Sequence, residues 1–268
     1  MDQYSPIGVF DSGVGGFTVA RQMRRLLPQE NIVYYGDSAH MPYGSRPVDE
    51  ILRMTRQMLA FLAGRGVKAA AVACNTISTL IDYYRSEYPF RIFSVIEAGA
   101  ASVADLDVPC VGVIGTPVTV HSKAYDRLIH GERPDMKVYS QGVPNLARLI
   151  DAGDLRPEVI DPELRAAVDP ILAQGPVKHL ILGCTHYPLL APEIRACLPG
   201  VRLLSCGECA AEELAELLRR TDALCEHRQG GETAFYTSGG VAEFEQNASK
   251  FLGSRLTGRV RHVEPFTD

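Results

Sequence analysis

One pattern occurs twice in the chain, in Ala69-Ala70-Ala71-Val72-Ala73-Cys74-Asn75-Thr76 and in His179-Leu180-Ile181-Leu182-Gly183-Cys184-Thr185-His186. In each stretch a short apolar run, which predicts a buried strand, leads through a small residue to a cysteine, and hydrogen-bonding side chains follow. Ligands of parallel sheets bind at the carboxyl ends of the strands. Two such turns therefore predict a site that has a thiol on each of two sides.

A second pair of matching stretches lies upstream of the cysteines. Ile7-Gly8-Val9-Phe10-Asp11-Ser12 corresponds to Val111-Gly112-Val113-Ile114-Gly115-Thr116, and each reads as a short buried strand that ends in a hydroxyl residue. We interpret the two halves as diverged copies of one α/β unit. The alternative is coincidence, because an apolar strand followed by a small residue is common in parallel sheets.

The composition fits a globular protein, since 268 residues of which 46% are hydrophobic suffice for a packed core. The net charge of −5 gives no overall field that attracts nucleic acid, so no nucleic-acid partner is expected. The longest uncharged apolar stretches, such as 108–120, are shorter than the roughly 20 residues that cross a bilayer, and the first six residues lack a signal-peptide pattern. We expect a cytoplasmic protein that does not insert into a membrane, with seven free thiols.

Strands and helices are predicted to alternate in the first half. A helix over 17–27 follows the first strand, and a strand over 32–35 comes next. A second helix is predicted to begin near Pro47, with Ser45 as its N-cap. This alternation is typical of a parallel sheet.

The second half repeats the alternation. A strand over 180–182 precedes a helix over 188–198, and 211–220 is predicted as a helix with Glu212 and Glu213 in its first turn. The tail is predicted to contain a strand at 233–237, a helix at 241–252 and a strand near 260–263.

Two domain boundaries are predicted, near Glu97 to Gly99 and near Cys206 to Glu208. The first domain then comprises residues 1–97 plus 208–268, because the tail returns to it. The second domain comprises residues 98–207.

Two other motifs carry weaker signals. The loop Gly13-Val14-Gly15-Gly16 can bind an anion through its N–H groups, but it matches neither the dinucleotide fingerprint nor a P-loop. Cys206 and Cys209 form a CxxC pair that Cys225 and His227 would complete as a zinc site, but the intervening helix argues against it, and no metal site is expected.

The chain resembles the glutamate racemases of the cofactor-independent Asp/Glu racemase family over nearly its full length. The resemblance is carried by 11–16, by Gly36-Asp37 with Pro42-Tyr43-Gly44, by 73–76 and by Gly183-Cys184-Thr185-His186-Tyr187-Pro188-Leu189-Leu190. It implies two similar parallel-sheet α/β domains, related by pseudo-twofold symmetry, with the active site between them.

The resemblance also implies racemisation by two bases, with Cys74 and Cys184 on opposite faces of the substrate's α-carbon. One thiolate removes the α-proton while the other thiol delivers a proton to the opposite face. Asp11 and His186 are the expected catalytic partners of the two thiols. The expected substrate-binding residues are Asp11, Ser12, Pro42, Tyr43, Gly44, Asn75, Thr76, Thr116, Thr119, Thr185 and His186.

The implied reaction is interconversion of L- and D-glutamate, which supplies D-glutamate for peptidoglycan. No cofactor is expected, because no lysine stands in a motif like those of the cysteines, and a homodimer is common in the family. The sequence departs from the family at Glu97-Ala98-Gly99, at 141–145, at Ser205-Cys206 and at Asp151, where glutamate is more usual. The alternatives are an aspartate racemase with the same chemistry, a thiol redox protein built on Cys206 and Cys209, and a protein that only binds its ligand.

Overall fold

The computed structural model describes residues 2–226, 230–253 and 256–264. Within these ranges ten strands form two sheets, and every pairing between neighbouring strands is parallel. The predicted fold class, two parallel-sheet α/β domains, is confirmed.

The first sheet has six strands in the order β10-β9-β2-β1-β3-β4. One of its two central strands, β1, is buried along its whole length, as the continuous apolar sequence predicts. The strands are β1 (Ile7–Asp11), β2 (Ile32–Gly36), β3 (Ala69–Val72), β4 (Arg91–Ser94), β9 (Thr233–Thr237) and β10 (Val260–His262).

The second sheet has four strands in the order β6-β5-β7-β8, which repeats the order β2-β1-β3-β4 of the first sheet. The two halves therefore share one strand topology. The strands are β5 (Cys110–Gly115), β6 (Lys137–Gly142), β7 (His179–Gly183) and β8 (Arg202–Ser205).

Eleven α-helices flank the sheets in the described residues. They are α1 (Phe17–Leu26), α2 (Val48–Ala63), α3 (Asn75–Ser78), α4 (Val95–Ala101), α5 (Pro117–His121), α6 (Ala124–Glu132), α7 (Leu146–Ala152), α8 (Pro157–Leu172), α9 (Ala191–Cys197), α10 (Cys206–Arg220) and α11 (Val241–Leu252).

Three helix boundaries differ from the sequence predictions. Helix α10 begins at Cys206, five residues before the predicted start, so Glu208 and not Glu212 lies in its first turn. Helix α2 is preceded by Pro47 and has no side-chain cap, so the prediction of Ser45 as N-cap is wrong. The predicted helix over 188–198 is a short 3₁₀ turn at Tyr187–Leu190 followed by α9.

The hydrophobic core joins the two halves. One cluster of buried side chains runs from one face of the first sheet through α4 and α10 to the second sheet. A second cluster covers the other face of the first sheet beneath α2. Helix α10 packs against both α1 and α4. The predicted division at residues 97 and 207 falls inside α4 and α10 and stays a prediction.

Among the described residues, no helix is both long and apolar enough to cross a bilayer.

Candidate active site

The two cysteines occupy equivalent positions in the two sheets. Cys74 follows β3 and immediately precedes α3, and Cys184 follows β7. In each sheet this strand lies beside the first strand of that half, β1 or β5. Both thiols are buried, with 7% exposure for Cys74 and 6% for Cys184.

Cys74 lies in a site that disfavours its charged form. Burial, followed by the nearby charge of Asp11, raises the pKa of the Cys74 thiol to about 12, against the weaker opposing effect of the Ser12 hydroxyl. The Ser12 Oγ to Cys74 Sγ distance is 3.5 Å. Cys184 is near enough to contribute to the same shift. The two sulfurs therefore lie in one electrostatic environment, and the Cys74 thiol is neutral near pH 7.

Cys184 has a histidine beside it. His186 Nδ1 lies 3.5 Å from Cys184 Sγ, and His186 Nε2 lies 3.0 Å from Asp151 Oδ1. Burial alone would lower the pKa of His186, but the Cys184 thiolate and the Asp151 carboxylate outweigh it and raise that pKa well above its usual value. The imidazole can exchange a proton with Cys184 while the carboxylate fixes its orientation.

The glycine loop after β1 packs directly against the second cysteine loop. A Cβ atom at Gly15 would lie 2.3 Å from Thr185 Oγ1 and 2.6 Å from His186 Cε1. Thr18, at the start of α1, donates its hydroxyl proton to the Thr185 carbonyl oxygen at 3.1 Å. Glycine at position 15 leaves the space that the side chains of Thr185 and His186 occupy.

Asp11 ends β1 with a carboxylate that is 1% exposed. Its Oδ1 accepts a hydrogen bond from the Gly13 N–H at 2.8 Å. Its Oδ2 has no hydrogen-bond partner among the described residues. Burial raises the pKa of Asp11, although the nearby His186 and the N–H groups of the loop oppose the rise. One buried carboxylate oxygen is thus free to meet a cationic group.

Asn75 and three threonines connect the two halves near Cys74. The hydroxyl oxygens of Thr76 and Thr116 are 3.4 Å apart, and those of Thr116 and Thr119 are 2.9 Å apart. Asn75 Oδ1 accepts a hydrogen bond from the Tyr125 hydroxyl at 2.8 Å. Asn75 Nδ2 is buried and has no partner within the described ranges. These side chains supply hydroxyl and amide groups for an anionic ligand.

Pro42, Tyr43 and Gly44 form the loop that approaches Thr116 from the first half. A Cβ atom at Gly44 would lie 3.9 Å from Thr116 Cβ. The Tyr43 hydroxyl is buried and donates to the Asp37 carboxylate. Burial and that carboxylate raise the pKa of Tyr43, so the phenol stays protonated.

Three residues in this region were not identified from the sequence as site residues. They are Asp151, which holds His186, Asp37, which holds Tyr43, and Tyr125, which holds Asn75. Asp37 stood in a motif that carries the family resemblance, and Asp151 stood out as an acidic residue where glutamate is more usual. The contact of Asp151 with His186 crosses 35 positions of sequence.

The CxxC motif lies at the start of α10. Cys206 Sγ is 3.0 Å from the Tyr125 hydroxyl and 3.4 Å from the Leu182 carbonyl oxygen, so this thiol already has partners. The described residues contain no group of three or more His, Cys, Asp or Glu side chains placed to hold a metal ion. His227, the fourth candidate zinc ligand, lies outside the described residues.

A separate cavity of about 970 Å³ lies beside the amino-terminal ends of β2 and β9. Arg21, Arg24 and Arg259 are among its lining residues. Both cysteine loops lie at the opposite, carboxyl ends of their strands, so this cavity is not the site built by the thiols.

Known proteins share both the sequence and the fold. The sequence model of the Asp/Glu/hydantoin racemase family matches residues 9–214. A glutamate racemase of Shouchella clausii is 39% identical over 92% of this chain and 90% of its own, and one of Syntrophus aciditrophicus is 39% identical over 96% of both chains.

Solved structures agree with the sequence matches. A glutamate racemase of Bacillus anthracis superposes with a TM-score of 0.92 at 35% identity over 98% of both chains. A glutamate racemase of Francisella tularensis in complex with D-glutamate superposes with a TM-score of 0.90 at 32% identity, also over 98% of both chains. The chain belongs to the Asp/Glu/hydantoin racemase family.

Proposed function

We propose that this protein is a glutamate racemase that interconverts L- and D-glutamate by a two-base mechanism. The observation that carries the proposal is the pairing of Cys74 and Cys184, two buried thiols at equivalent strand ends of two halves. Inversion of a stereocentre requires a proton to leave one face of the carbon and another to arrive at the opposite face. Two thiols that approach the substrate from different halves of the molecule meet this requirement.

The surroundings of Cys74 and Cys184 differ, and this supports different roles for the two thiols in one direction of the reaction. Cys74 is neutral near pH 7 because its pKa is raised to about 12 by burial first and by Asp11 second. It is therefore ready to deliver a proton. His186 lies against Cys184 and exchanges the proton that Cys184 must gain or lose. In the opposite reaction direction the roles of the two sulfurs are exchanged.

The site offers complementary groups for an α-amino acid. The free Oδ2 of Asp11 suits the ammonium group, and the free Nδ2 of Asn75 suits the α-carboxylate. Hydrogen bonds to the carboxylate matter most at the transition state, because negative charge spreads into it as the α-proton leaves. Thr76, two residues after Cys74, and Thr185, the residue after Cys184, add hydroxyl donors. Ser12, Thr116 and Thr119 complete the proposed polar lining.

Glutamate is favoured over aspartate by the relatives named above, which are glutamate racemases at 39% identity. An aspartate racemase homologue of Pyrococcus horikoshii is only 18% identical, so it supports the fold alone. The substrate test is α-proton exchange in D₂O, followed by NMR, with glutamate and aspartate offered separately. We expect glutamate to exchange its α-proton and to racemise. Exchange of aspartate alone would show that aspartate, and not glutamate, is the substrate. Exchange of neither amino acid would refute racemisation.

The role of each thiol is tested with a glutamate analogue that carries a β-leaving group. Elimination needs only removal of the α-proton, so one functional thiolate suffices. We expect Cys74→Ser and Cys184→Ser each to lose racemisation but to keep elimination with one enantiomer, and the two variants should prefer opposite enantiomers. The same preference in both variants would contradict the assignment of the thiols to opposite faces.

A thiol redox protein built on Cys206 and Cys209 is the alternative from another class. It predicts that the double serine variant loses activity while Cys74→Ser keeps it. The racemase proposal predicts the reverse for Cys74→Ser. Measuring both variants with glutamate and with a dithiol reductant separates the two functions.

Three wider properties belong to the same proposal. We place the enzyme in the cytoplasm, where it would supply D-glutamate for peptidoglycan, and we expect a homodimer. Depletion in the source cell should produce a requirement for added D-glutamate, and light scattering during gel filtration should give twice the mass of the chain. Growth of the depleted cells without D-glutamate would contradict the role in supplying it. A monomeric mass would contradict the homodimer.

A further inference from the structure

Tyr125 lies between the two cysteine loops but takes no part in the mechanism described above. It belongs to α6, which packs against the second sheet, and it is 2% exposed. Its hydroxyl lies 2.8 Å from Asn75 Oδ1 and 3.0 Å from Cys206 Sγ. Asn75 is the residue that follows Cys74. A side chain from the second half therefore reaches the first cysteine loop.

The ring of Tyr125 sits in a slot made by two glycines. A Cβ atom at Gly99 would lie 3.2 Å from Tyr125 Cε1 and 2.8 Å from Cys206 Sγ. A Cβ atom at Gly183, the residue before Cys184, would lie 3.2 Å from Tyr125 Cε2. These distances are at or below the limit of ordinary packing, so the backbones of α4 and of the β7 end fix the ring's position.

The amide of Asn75 has two ends with different surroundings. Oδ1 accepts from Tyr125, whereas Nδ2 is buried without a partner in the described part of the chain. Which end faces the reaction site decides whether the substrate carboxylate meets an N–H donor or a carbonyl oxygen. A carbonyl oxygen would repel a carboxylate, and the charge that develops in the transition state would strengthen the repulsion.

We propose that Tyr125 is a positioning residue that fixes the amide of Asn75, so that its Nδ2 group donates to the α-carboxylate of the substrate. This inference rests on the proposed racemisation and adds a residue that acts through another. It also gives Gly99 and Cys206 a part in holding that tyrosine.

The Tyr125 hydroxyl proton has two acceptors in reach, and their chemistry decides between them. An amide oxygen is a strong acceptor and a sulfur is a weak one, so the proton goes to Asn75 Oδ1. Burial, followed by the effect of Cys206, raises the pKa of Tyr125, so the phenol keeps its proton. Burial likewise raises the pKa of Cys206 to about 12, and its S–H donates to the Leu182 carbonyl oxygen.

Removal of the hydroxyl tests the inference. Tyr125→Phe keeps the ring in its slot and lets the Asn75 amide rotate, so kcat should fall about tenfold to a hundredfold, toward the loss seen when an oxyanion donor is removed. The Michaelis constant should change less than threefold, because the lost donor acts mainly on charge that develops in the transition state.

Tyr84→Phe is the matched control. Tyr84 is equally buried, and its hydroxyl donates to a backbone carbonyl, that of Ile77, at 3.3 Å. It should lose a similar amount of thermal stability to Tyr125→Phe while keeping kcat within twofold of the wild type. Equal losses of kcat in the two variants would show a general structural effect and would overturn the inference.

A double-mutant comparison identifies the residue through which Tyr125 acts. In an Asn75→Ala background, Tyr125→Phe should cause no further loss in the rate of α-proton exchange, since the amide it orients is gone. If the rate loss of the double variant equals the product of the losses of the two single variants, the inference is overturned. It is also overturned if the wild type is active and the kcat of Tyr125→Phe lies within twofold of the wild-type value.

The orientation of the amide is observed directly by NMR. The side-chain NH₂ resonances of Asn75, assigned by their absence from Asn75→Ala, should shift in Tyr125→Phe and stay in place in Tyr84→Phe. Unchanged resonances in Tyr125→Phe would overturn the inference whether or not the enzyme turns over. A wild type without racemase activity would instead refute the proposed function, and the NMR result would still decide the role of Tyr125.

Discussion

Replacement of Asp151 by asparagine should shift the pH dependence of racemisation. Asp151 Oδ1 lies 3.0 Å from His186 Nε2. The pKa of His186 is raised although its burial acts to lower it, because the charges of Cys184 and Asp151 stabilise the imidazolium. Asp151→Asn keeps a hydrogen-bonding group of the same size and removes one of these charges.

The size of the shift follows from the geometry. Two unit charges 3.0 Å apart interact by about 5.5 kcal/mol at an effective dielectric constant of 20. The side chain of Asp151 is 22% exposed, so solvent screens part of that energy. Loss of a charge-assisted hydrogen bond typically costs about 1.5–3 kcal/mol, which corresponds to roughly 1–2 pH units. Because the carboxylate raises the pKa of His186, its removal lowers that pKa.

The assay is kcat/KM for both enantiomers between pH 6 and pH 10. Deprotonation of His186 removes the imidazolium beside Cys184, so we expect the alkaline limb of the profile to move to lower pH by about 1–2 units. The enantiomers have equal free energy in water, so kcat/KM must stay equal in the two directions at every pH, which checks the data internally.

Asp154→Asn is the matched control for this prediction. Asp154 lies three residues further along the chain, and its partner is Arg156, not His186. Arg156 Nε lies 2.7 Å from Asp154 Oδ1. Its replacement should leave the alkaline limb where it is. An alkaline limb that stays fixed in Asp151→Asn would refute the idea that the Asp151 charge sets the protonation of His186.

Two further predictions concern packing and stability. Gly15→Ala should lower kcat/KM at least tenfold, because its Cβ would lie 2.3 Å from Thr185 Oγ1 and would displace the Thr185 and His186 side chains. Gly131→Ala should retain full activity, because a Cβ at Gly131 would meet no atom within 4 Å apart from its chain neighbours and the backbone of its own helix. Lys68 Nζ lies 2.6 Å from Glu30 Oε2 in a fully buried ion pair that lacks hydrogen-bond geometry. Lys68→Met should lower the free energy of unfolding in urea by about 3–5 kcal/mol by leaving the carboxylate uncompensated, and adding Glu30→Gln should restore most of it. A double variant no more stable than Lys68→Met would contradict this account.

The inner strands β1, β2, β3, β5 and β7 were predictable because their residues are almost entirely buried. The more exposed strands β6 and β8 were not predicted. The predicted strand at 233–237 and helix at 241–252 agree with β9 and α11. Periodicity failed at the start of α10, where Cys206 and Gly207 are poor helix formers and the packing of the helix against α1 and α4 decides its extent.

The contacts that organise the candidate site were harder to predict. Both cysteines stood out because each lies in a local pattern of consecutive residues. Tyr125 and Asp151 gave no comparable signal, because each acts on a residue 50 or 35 positions away. A hydrogen bond that closes such a distance depends on how two sheets pack, and no periodicity within one segment encodes it.

The contacts between the two halves also bear on how a substrate enters. The Thr76–Thr116 contact is long, at 3.4 Å, and it joins two hydroxyls that can each bond to water instead. The Tyr125–Asn75 bond is 2.8 Å long and fully buried, so breaking it would leave polar groups unpaired. Opening of the site should therefore separate the threonines first and keep the tyrosine contact, with α4 and α10 on the side that stays closed. The amide of Asn75 would then remain oriented while substrate and product exchange.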